Sequence, residues 1–135
     1  MPTLEHFCTV DATLEFNMIG KTPMGVRIDM PFHGTATGPH WEGERPVEGI
    51  DHVTVRGDGN MDLVIRGRIG EGKETVGYRA TGVSVAIDRT TAEPQELVLF
   101  ETGDESLDFL NTAVGVVLGR GEGTELSLEF FLVRR

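Results

Sequence analysis

The segment VTVRGDGNMDLVI, residues 53–65, predicts an antiparallel β-hairpin. Apolar side chains alternate with polar ones on both sides of a central turn, at Val53, Val55, Met61, Leu63 and Ile65. Because successive side chains of a strand point to opposite faces, each half of the segment has one apolar face. The glycines of the GDGN turn at 57–60 supply the positive φ angles that a tight turn needs. The short spacing between the two halves is typical of neighbouring antiparallel strands.

The same period-two pattern recurs along the chain. Its further runs lie at 26–32, 76–80, 83–87, 97–102, 113–118 and 126–132. We interpret 76–80 and 83–87 as two strands separated at Gly82, where a bulge or bend is expected. The turns at 70–73 and 119–123 are rich in glycine and predict further hairpins, and the chain contains 18 glycines in all.

Helical periodicity is confined to one short segment. Asp104 to Asn111 predicts about two helical turns, with Asp104 as the N-cap and Leu107, Phe109 and Leu110 on the inner side. Many short strands and almost no helix predict an all-β fold, either a barrel or a sandwich. We favour a single antiparallel β-barrel of about eight to ten strands, since closure removes exposed edges.

Composition restricts the class of protein. A chain of 135 residues has the size of one compact domain, so we predict a single domain over residues 1–135. The net charge of −10 and the lack of a basic patch argue against nucleic acid or an anionic membrane as partner. The longest apolar run, 113–119, falls short of the roughly 20 residues of a membrane span. The N-terminus lacks a secretory pattern, and with one cysteine, Cys8, the sequence favours a cytoplasmic location.

Several familiar catalytic motifs are missing from the sequence. It contains no Rossmann signature and no G-x-S-x-G nucleophile elbow. The glycines at 119–123 lie between two strand patterns, which favours a hairpin over a phosphate loop. The four histidines lack the close spacing of a metal-binding helix or cupin. We therefore predict no cofactor and no metal, with a metal site assembled from distant strands as the alternative.

Motifs in the same order across most of the chain resemble the domain-of-unknown-function 3237 (DUF3237) family. In the first half they are GTATGPHWEG at 34–43, GIDH at 49–52 and RGDG at 56–59, before Asp62. In the second half the motifs are FETG at 100–103, FLN at 109–111 and GVVLGRG at 115–121. These are similar to the family's F-x-T-G, W-L-N and V-G-x-G pattern, in the same order.

This resemblance implies a single lipocalin-like barrel with a polar cluster in one mouth and no established general activity. The sequence departs from the family pattern at His52 and Phe109, where tryptophan is more usual. Both positions are expected beside the polar cluster, so a ligand preference does not carry over directly.

Asp62 and Arg66 are the first candidates for a site in that mouth. They share one strand face, about 13 Å apart, so they cannot pair with each other but can bracket a ligand. If that face lines the interior, Asp62 is a candidate general base and Arg66 a clamp for a carboxylate, phenolate or enolate. The alternative is a solvated outer face opposite a core of Met61, Leu63 and Ile65. The resemblance, which places Asp62 among recurring residues, leaves the two interpretations balanced.

Asp51 and His52 are adjacent in a predicted strand, so we expect only one of them to face the cavity. Either is a candidate second proton carrier, His52 because histidine titrates near neutral pH. Arg56, at the end of the same strand, is a candidate ligand-binding residue. Trp41 is either an aromatic wall for a planar ligand or a core residue.

The last candidates surround the predicted helix. Asn111 can orient a carbonyl or enolate through its amide, and Thr102 can donate its hydroxyl, with Glu101 beside it. The alternative is structural: Thr102 caps the turn and Asn111 closes it.

The leading functional hypothesis is a cofactor-independent enzyme that acts by general acid–base catalysis on a small, oxygenated, partly apolar metabolite. An isomerase, a dehydratase or other lyase, or a cyclase would fit. The alternative is a non-catalytic barrel that binds or carries a hydrophobic small molecule. A further alternative, a structural subunit, would follow if Met61, Leu63 and Ile65 formed an exposed patch. We also expect a homo-oligomer, a dimer or larger.

Overall fold

The computed structural model describes all 135 residues and confirms the all-β barrel. The strands are β1 (Thr3–Leu14), β2 (Asn17–Thr22), β3 (Gly25–Thr37), β4 (Arg45–Val55), β5 (Met61–Ile69), β6 (Val76–Ala86), β7 (Thr91–Thr102), β8 (Val114–Glu122) and β9 (Glu125–Arg134). They form one antiparallel sheet in the order β1-β9-β8-β7-β6-β5-β4-β3-β2. Because β1 also pairs with β3, eight strands close into a barrel and β2 remains outside as an extension.

Closure depends on a close approach between β1 and β3. Their register runs from Thr9 opposite Thr37 to Leu14 opposite Phe32. A Cβ atom at Gly34 would lie 1.9 Å from the backbone oxygen of Asp11, so only glycine allows this contact. Because β1 pairs with β9 along one edge and with β3 along the other, none of these three strands is left with a long free edge.

Strand β6 differs from the sequence-based interpretation. It runs without interruption from Val76 to Ala86, so the prediction of two strands separated at Gly82 is wrong. A Cβ atom at Gly82 would lie 1.9 Å from the backbone oxygen of Gln95 on β7. The glycine therefore permits close contact between two neighbouring strands and does not end either of them.

The alternation in β5 decides which side chains fill the barrel. Leu63 and Ile65 point inward and are almost completely buried, whereas Asp62, Val64 and Arg66 lie on the outer surface. Met61, Leu63 and Ile65 therefore do not form the exposed patch on which the structural-subunit alternative depended. The interior residues of β5 instead join a core cluster with the inward residues of the other strands.

One end of the barrel is filled and closed. Phe100 packs there against both Phe7 and Phe130, with ring centroids 5.5 Å and 6.4 Å apart, respectively. A kinked 3₁₀ helix, Glu105–Thr112, covers this end and buries Leu107 and Leu110. The predicted N-cap is confirmed, since the Asp104 carboxylate accepts a hydrogen bond from the Ser106 backbone N–H at 3.0 Å. We call this the closed end, and a second 3₁₀ turn, Gly72–Glu74, lies beside it.

The opposite end, which we call the open end, is formed by the turns between β2 and β3, β4 and β5, β6 and β7, and β8 and β9, with the junction between β1 and β2 beside them. No helix in the structure has the length and apolar character needed to cross a membrane.

Candidate functional site

A cavity of about 410 Å³ enters the barrel at the open end. Its wall is largely apolar, with Leu14, Phe16, Ile28, Met30 and Leu126 among the lining residues. This volume lies within the range of sites that bind small molecules. Eight polar residues also line it. Asp51, Ser84, Thr91 and Glu96 are buried or half-buried in the wall, and Asp88, Arg89, Thr90 and Thr124 are exposed at the rim. The cavity therefore combines an apolar interior with a few polar groups on its wall.

Asp51 reaches the cavity because β4 alternates. Val53, on the same face of β4, is fully buried, and the intervening His52 points outward. Burial raises the pKa of Asp51 to about 7, and a weaker hydrogen bond from the Val64 backbone only partly opposes the shift. Its Oδ1 atom is buried without a hydrogen-bond partner. Asp51 is thus a poorly solvated carboxyl group with one oxygen unpaired.

Glu96 reaches the same cavity from β7, three strands further along the sheet. It is only 7% exposed and belongs to the inward row that includes Val98 and Phe100. Burial is the main reason that its pKa rises to about 8, and the charge of Asp51 adds to the shift. No ion pair neutralises either carboxyl group. Burying such groups without a partner costs stability, which is typical of functional sites.

The two carboxyl groups can divide acid and base roles between them. Near neutral pH one of them can hold a proton while the other is ionised, because burial raises both pKa values and the charge of Asp51 further disfavours ionisation of Glu96. The only basic side chain that lines the cavity is Arg89, which lies at the exposed rim. The interior is therefore acidic, and it is suited to uncharged ligands and unsuited to anions.

The structure places Asp62 and Arg66 away from this cavity. Asp62 lies on the outer surface with its side chain 55% exposed, and it accepts a hydrogen bond from Arg56 at 3.2 Å. Arg56 also pairs with Asp58 at 2.6 Å, and Arg66 is exposed on the same outer face as Asp62. Of the two interpretations of this strand, the structure supports the outer face, because the opposite face of β5 fills the barrel.

The pair of adjacent candidates is separated as expected. Asp51 lines the cavity, whereas the ring of His52 lies outside, with Nδ1 2.9 Å from the Asp29 carboxylate. That carboxylate also lies 3.5 Å from Arg27. His52 therefore belongs to a charged cluster on the outer surface.

The remaining candidates lie at or near the closed end and make structural contacts. The Asn111 amide bonds both backbone groups of Thr102, accepting from its N–H at 2.8 Å and donating to its carbonyl at 3.0 Å. The Thr102 hydroxyl donates to the Thr75 carbonyl, and Glu101 is exposed on β7. Trp41 donates to the Ala36 carbonyl at 3.2 Å and packs against the core. None of these residues lines the cavity, so the structural alternatives describe their positions.

Glu96 was not among the residues predicted from the sequence. The signal was present, since Glu96 precedes Val98 and Phe100 at intervals of two in the inward row of β7. The predicted strand began at residue 97, which excluded Glu96 from that row. No group of three His, Cys, Asp or Glu side chains comes close enough together to hold a metal ion.

Comparisons with solved structures show where this fold occurs. A protein of unknown function from Clostridium acetobutylicum superposes with a TM-score of 0.87 at 19% identity, over 99% of this chain and 100% of that one. A β-barrel-like protein from Acinetobacter baumannii gives 0.85 at 17% identity, covering 99% and 97%. A protein from Penicillium herquei described as an enzyme gives 0.68 at 20% identity, covering 98% and 95%. At these identities the likeness establishes the fold alone.

Among curated proteins, none matches the chain significantly in sequence. A family model does match, over residues 2–133, which is nearly the whole chain. The resemblance predicted from the ordered motifs is thereby confirmed. The chain belongs to the family described as "Protein of unknown function (DUF3237)".

Proposed function

We propose that this protein is a cofactor-independent enzyme that acts by proton transfer on a small, uncharged and largely apolar metabolite. Asp51 and Glu96 act as the acid and the base. The observation that carries this proposal is the presence of two carboxyl groups without ion-pair partners in the wall of one apolar cavity. Glu96 is buried, and Asp51 is half-buried with its Oδ1 atom fully buried.

The reaction class follows from the residues that line the cavity. General acid–base catalysis needs groups whose pKa values lie near the working pH, and both carboxyl groups meet this condition. A neutral carboxyl can donate a proton to a carbonyl or hydroxyl oxygen while the ionised one accepts a proton from carbon or oxygen. Isomerisation consists of such a pair of transfers. In dehydration the protonated hydroxyl leaves as water while the base removes a proton from carbon. In ring closure a hydroxyl adds to a double bond while one group removes its proton and the other delivers a proton. The description of the Penicillium herquei protein as an enzyme is compatible with catalysis on this fold.

The charge of the cavity restricts the substrate. Arg66 and Asn111, the anion-stabilising groups predicted from the sequence, do not line the cavity. A carboxylate or phosphate on the ligand would lie close to Asp51 and Glu96 and would be repelled. We therefore expect neutral ketones, enones and alcohols with an apolar body, and we expect hydroxy acids to bind poorly.

A carrier of apolar molecules would use the same wall without needing the two acids. Replacing buried polar groups by apolar side chains usually maintains or increases stability, so a barrel selected only to carry an apolar ligand gains nothing from Asp51 and Glu96. Placing Asp51 and Glu96 in the cavity wall costs stability that a carrier need not lose, which favours an enzyme over a carrier.

The test begins with a thermal-shift screen of neutral aromatic, enone and hydroxylated metabolites, because a ligand that binds only the native state raises its stability. Hits are then incubated with the protein and followed by mass spectrometry and chiral chromatography. We expect Asp51→Asn and Glu96→Gln to retain binding and to lose roughly 10²–10⁴-fold in turnover. The control Glu93→Gln, on the outer face of the same strand as Glu96, should keep full activity.

Two results would count against the proposal. Recovery of every bound compound unchanged would favour a carrier. If Asp62→Asn lost turnover while Asp51→Asn remained fully active, the catalytic residue would be Asp62 on the outer surface.

A further inference from the structure

The outer surface of β5–β8 carries an apolar area that nothing in the chain covers. In the sheet register Val64 lies opposite Thr81, Thr81 opposite Leu97, and Leu97 opposite Val116. Leu97 is the most exposed of the apolar residues among these, at 62%. We call the area the outer apolar face and define it by Val64, Val83, Leu97, Leu99, Val114, Val116 and Leu118.

Two unpaired positive charges border this face on one side. Arg66 on β5 and Arg79 on β6 lie directly opposite each other and are both exposed. Neither takes part in any of the ion pairs within the chain. Like charges in this position destabilise a sheet. Although the protein has a net charge of −10, no carboxylate of the chain pairs with either arginine, so Arg66 is free to pair with an external acidic group.

A carboxylate borders the opposite side of the same face. Asp62, Val64 and Arg66 alternate along the outer surface of β5, so the apolar row lies between a negative and a positive charge. Suppose that a two-fold axis relates two copies of the chain, lies in the plane of their interface and runs perpendicular to the strands. The Asp62 side of the row in one copy then lies over the Arg66 side of the row in the other. This arrangement therefore brings each Arg66 opposite an Asp62, so the face is complementary in charge to itself.

We propose that the outer apolar face binds a second copy of the chain as a symmetric dimer, with the two-fold axis passing near Val64 and Leu97. Arg66 of each copy then pairs with Asp62 of the other. By the same operation Val114 packs against Leu118 of the other copy, at the ~10 Å separation of sheets packed face to face. A two-fold interface uses the same patch twice, as this arrangement requires.

The size of the face sets the expected affinity. Four strands span about 14 Å, and the four-residue step from Val114 to Leu118 spans about 13 Å. That area is smaller than the roughly 800 Å² per partner of a standard interface, so we expect a weak dimer that dissociates on dilution. The cavity opens at the end of the barrel, away from the outer apolar face, so this dimer does not depend on the proposed function.

Sedimentation velocity over roughly 1–300 µM protein tests the dimer by mass action. The wild type should change from monomer to dimer across this range, and Leu97→Glu should weaken association at least tenfold. Ile19→Glu is the matched control, because Ile19 is a comparable 57% exposed but lies on β2, away from the face. It should dimerise like the wild type. Thermal unfolding and circular dichroism confirm that each variant is folded.

A charge exchange tests the position of the axis. Arg66→Asp and Asp62→Arg should each weaken the dimer, because like charges then face each other, and the double variant should regain most of the wild-type affinity. A wild type that remains monomeric throughout would overturn the proposal. So would a dimer that is disrupted by Ile19→Glu and not by Leu97→Glu, or a double variant with no recovery.

Discussion

Replacing Glu96 by glutamine should make the stability of this protein less sensitive to pH. The pKa of Glu96 rises from 4.5 to about 8 on folding, mainly because of burial. Between these two values the native chain holds a proton that the unfolded chain has released. Native stability therefore decreases as the pH rises through this interval, and the loss is complete above the folded pKa. Glutamine has nearly the same shape and cannot ionise, so the variant escapes this loss.

The size of the effect follows from proton linkage. One such group lowers the free energy of unfolding of the wild type by up to about 1.4 kcal/mol for each pH unit in the interval. At pH 4 and below, wild type and Glu96→Gln should have similar stability. At pH 8 the variant should be more stable by a few kcal/mol. Part of the rise in the pKa of Glu96 comes from the charge of Asp51. Asp51→Asn should therefore narrow the pH interval between the unfolded and folded pKa values of Glu96.

Urea unfolding at pH 4, 5, 6, 7 and 8, followed by tryptophan fluorescence and circular dichroism, measures these free energies. Glu101→Gln, on the exposed face of the same strand, is the matched control and should follow the pH dependence of the wild type. Parallel pH profiles for wild type and Glu96→Gln would refute the reasoning. They would mean that Glu96 is solvated well enough to ionise normally, and the proposed acid–base pair would lose its physical basis.

Three further predictions concern the barrel itself. Gly82→Ala should lower the free energy of unfolding in urea by at least about 1–3 kcal/mol, because its Cβ would lie 1.9 Å from a backbone oxygen. Gly57→Ala is the control and should have little effect, because the space around Gly57 is open. Equal losses in the two variants would contradict the close contact at Gly82. Leu110→Ala should lower the free energy of unfolding by about 2–5 kcal/mol, since Leu110 is fully buried at the closed end. A smaller decrease in the same assay would mean that the closed end is loosely packed. Burial raises the pKa of the Cys8 thiol, so a thiol reagent should label Cys8 only after unfolding, and rapid labelling of the native protein would contradict its burial.

Local patterns in the sequence were sufficient for much of the barrel. The hairpin at 53–65 and the N-cap at Asp104 depend on residues that are close in the chain, and both occur in the structure. Strands β1 and β2 were not predicted. In β1 a register shift between His6 and Cys8 places both Phe7 and Cys8 in the core, which breaks the period-two pattern that identifies a strand.

The candidate site was predicted less completely than the fold. Alternation assigned Asp51 and His52 to opposite faces, and the structure places Asp51 in the cavity wall. For β5 the sequence left the choice of face open, because one face is apolar and the other combines charges with Val64. The apolar face lies inside, so Asp62 and Arg66 lie outside.

The sequence by itself determined the all-β class, the hairpin turns and, within each predicted strand, which residues share a face, because these follow from interactions between residues a few positions apart. The tertiary structure decided that β1 closes on β3 and that Asp51 and Glu96 line the same cavity. These two residues are 45 positions apart and lie on strands separated by two others. Their proximity comes from the curvature and closure of the whole sheet, which depend on all the strand pairings together and on glycines that let backbones approach closely.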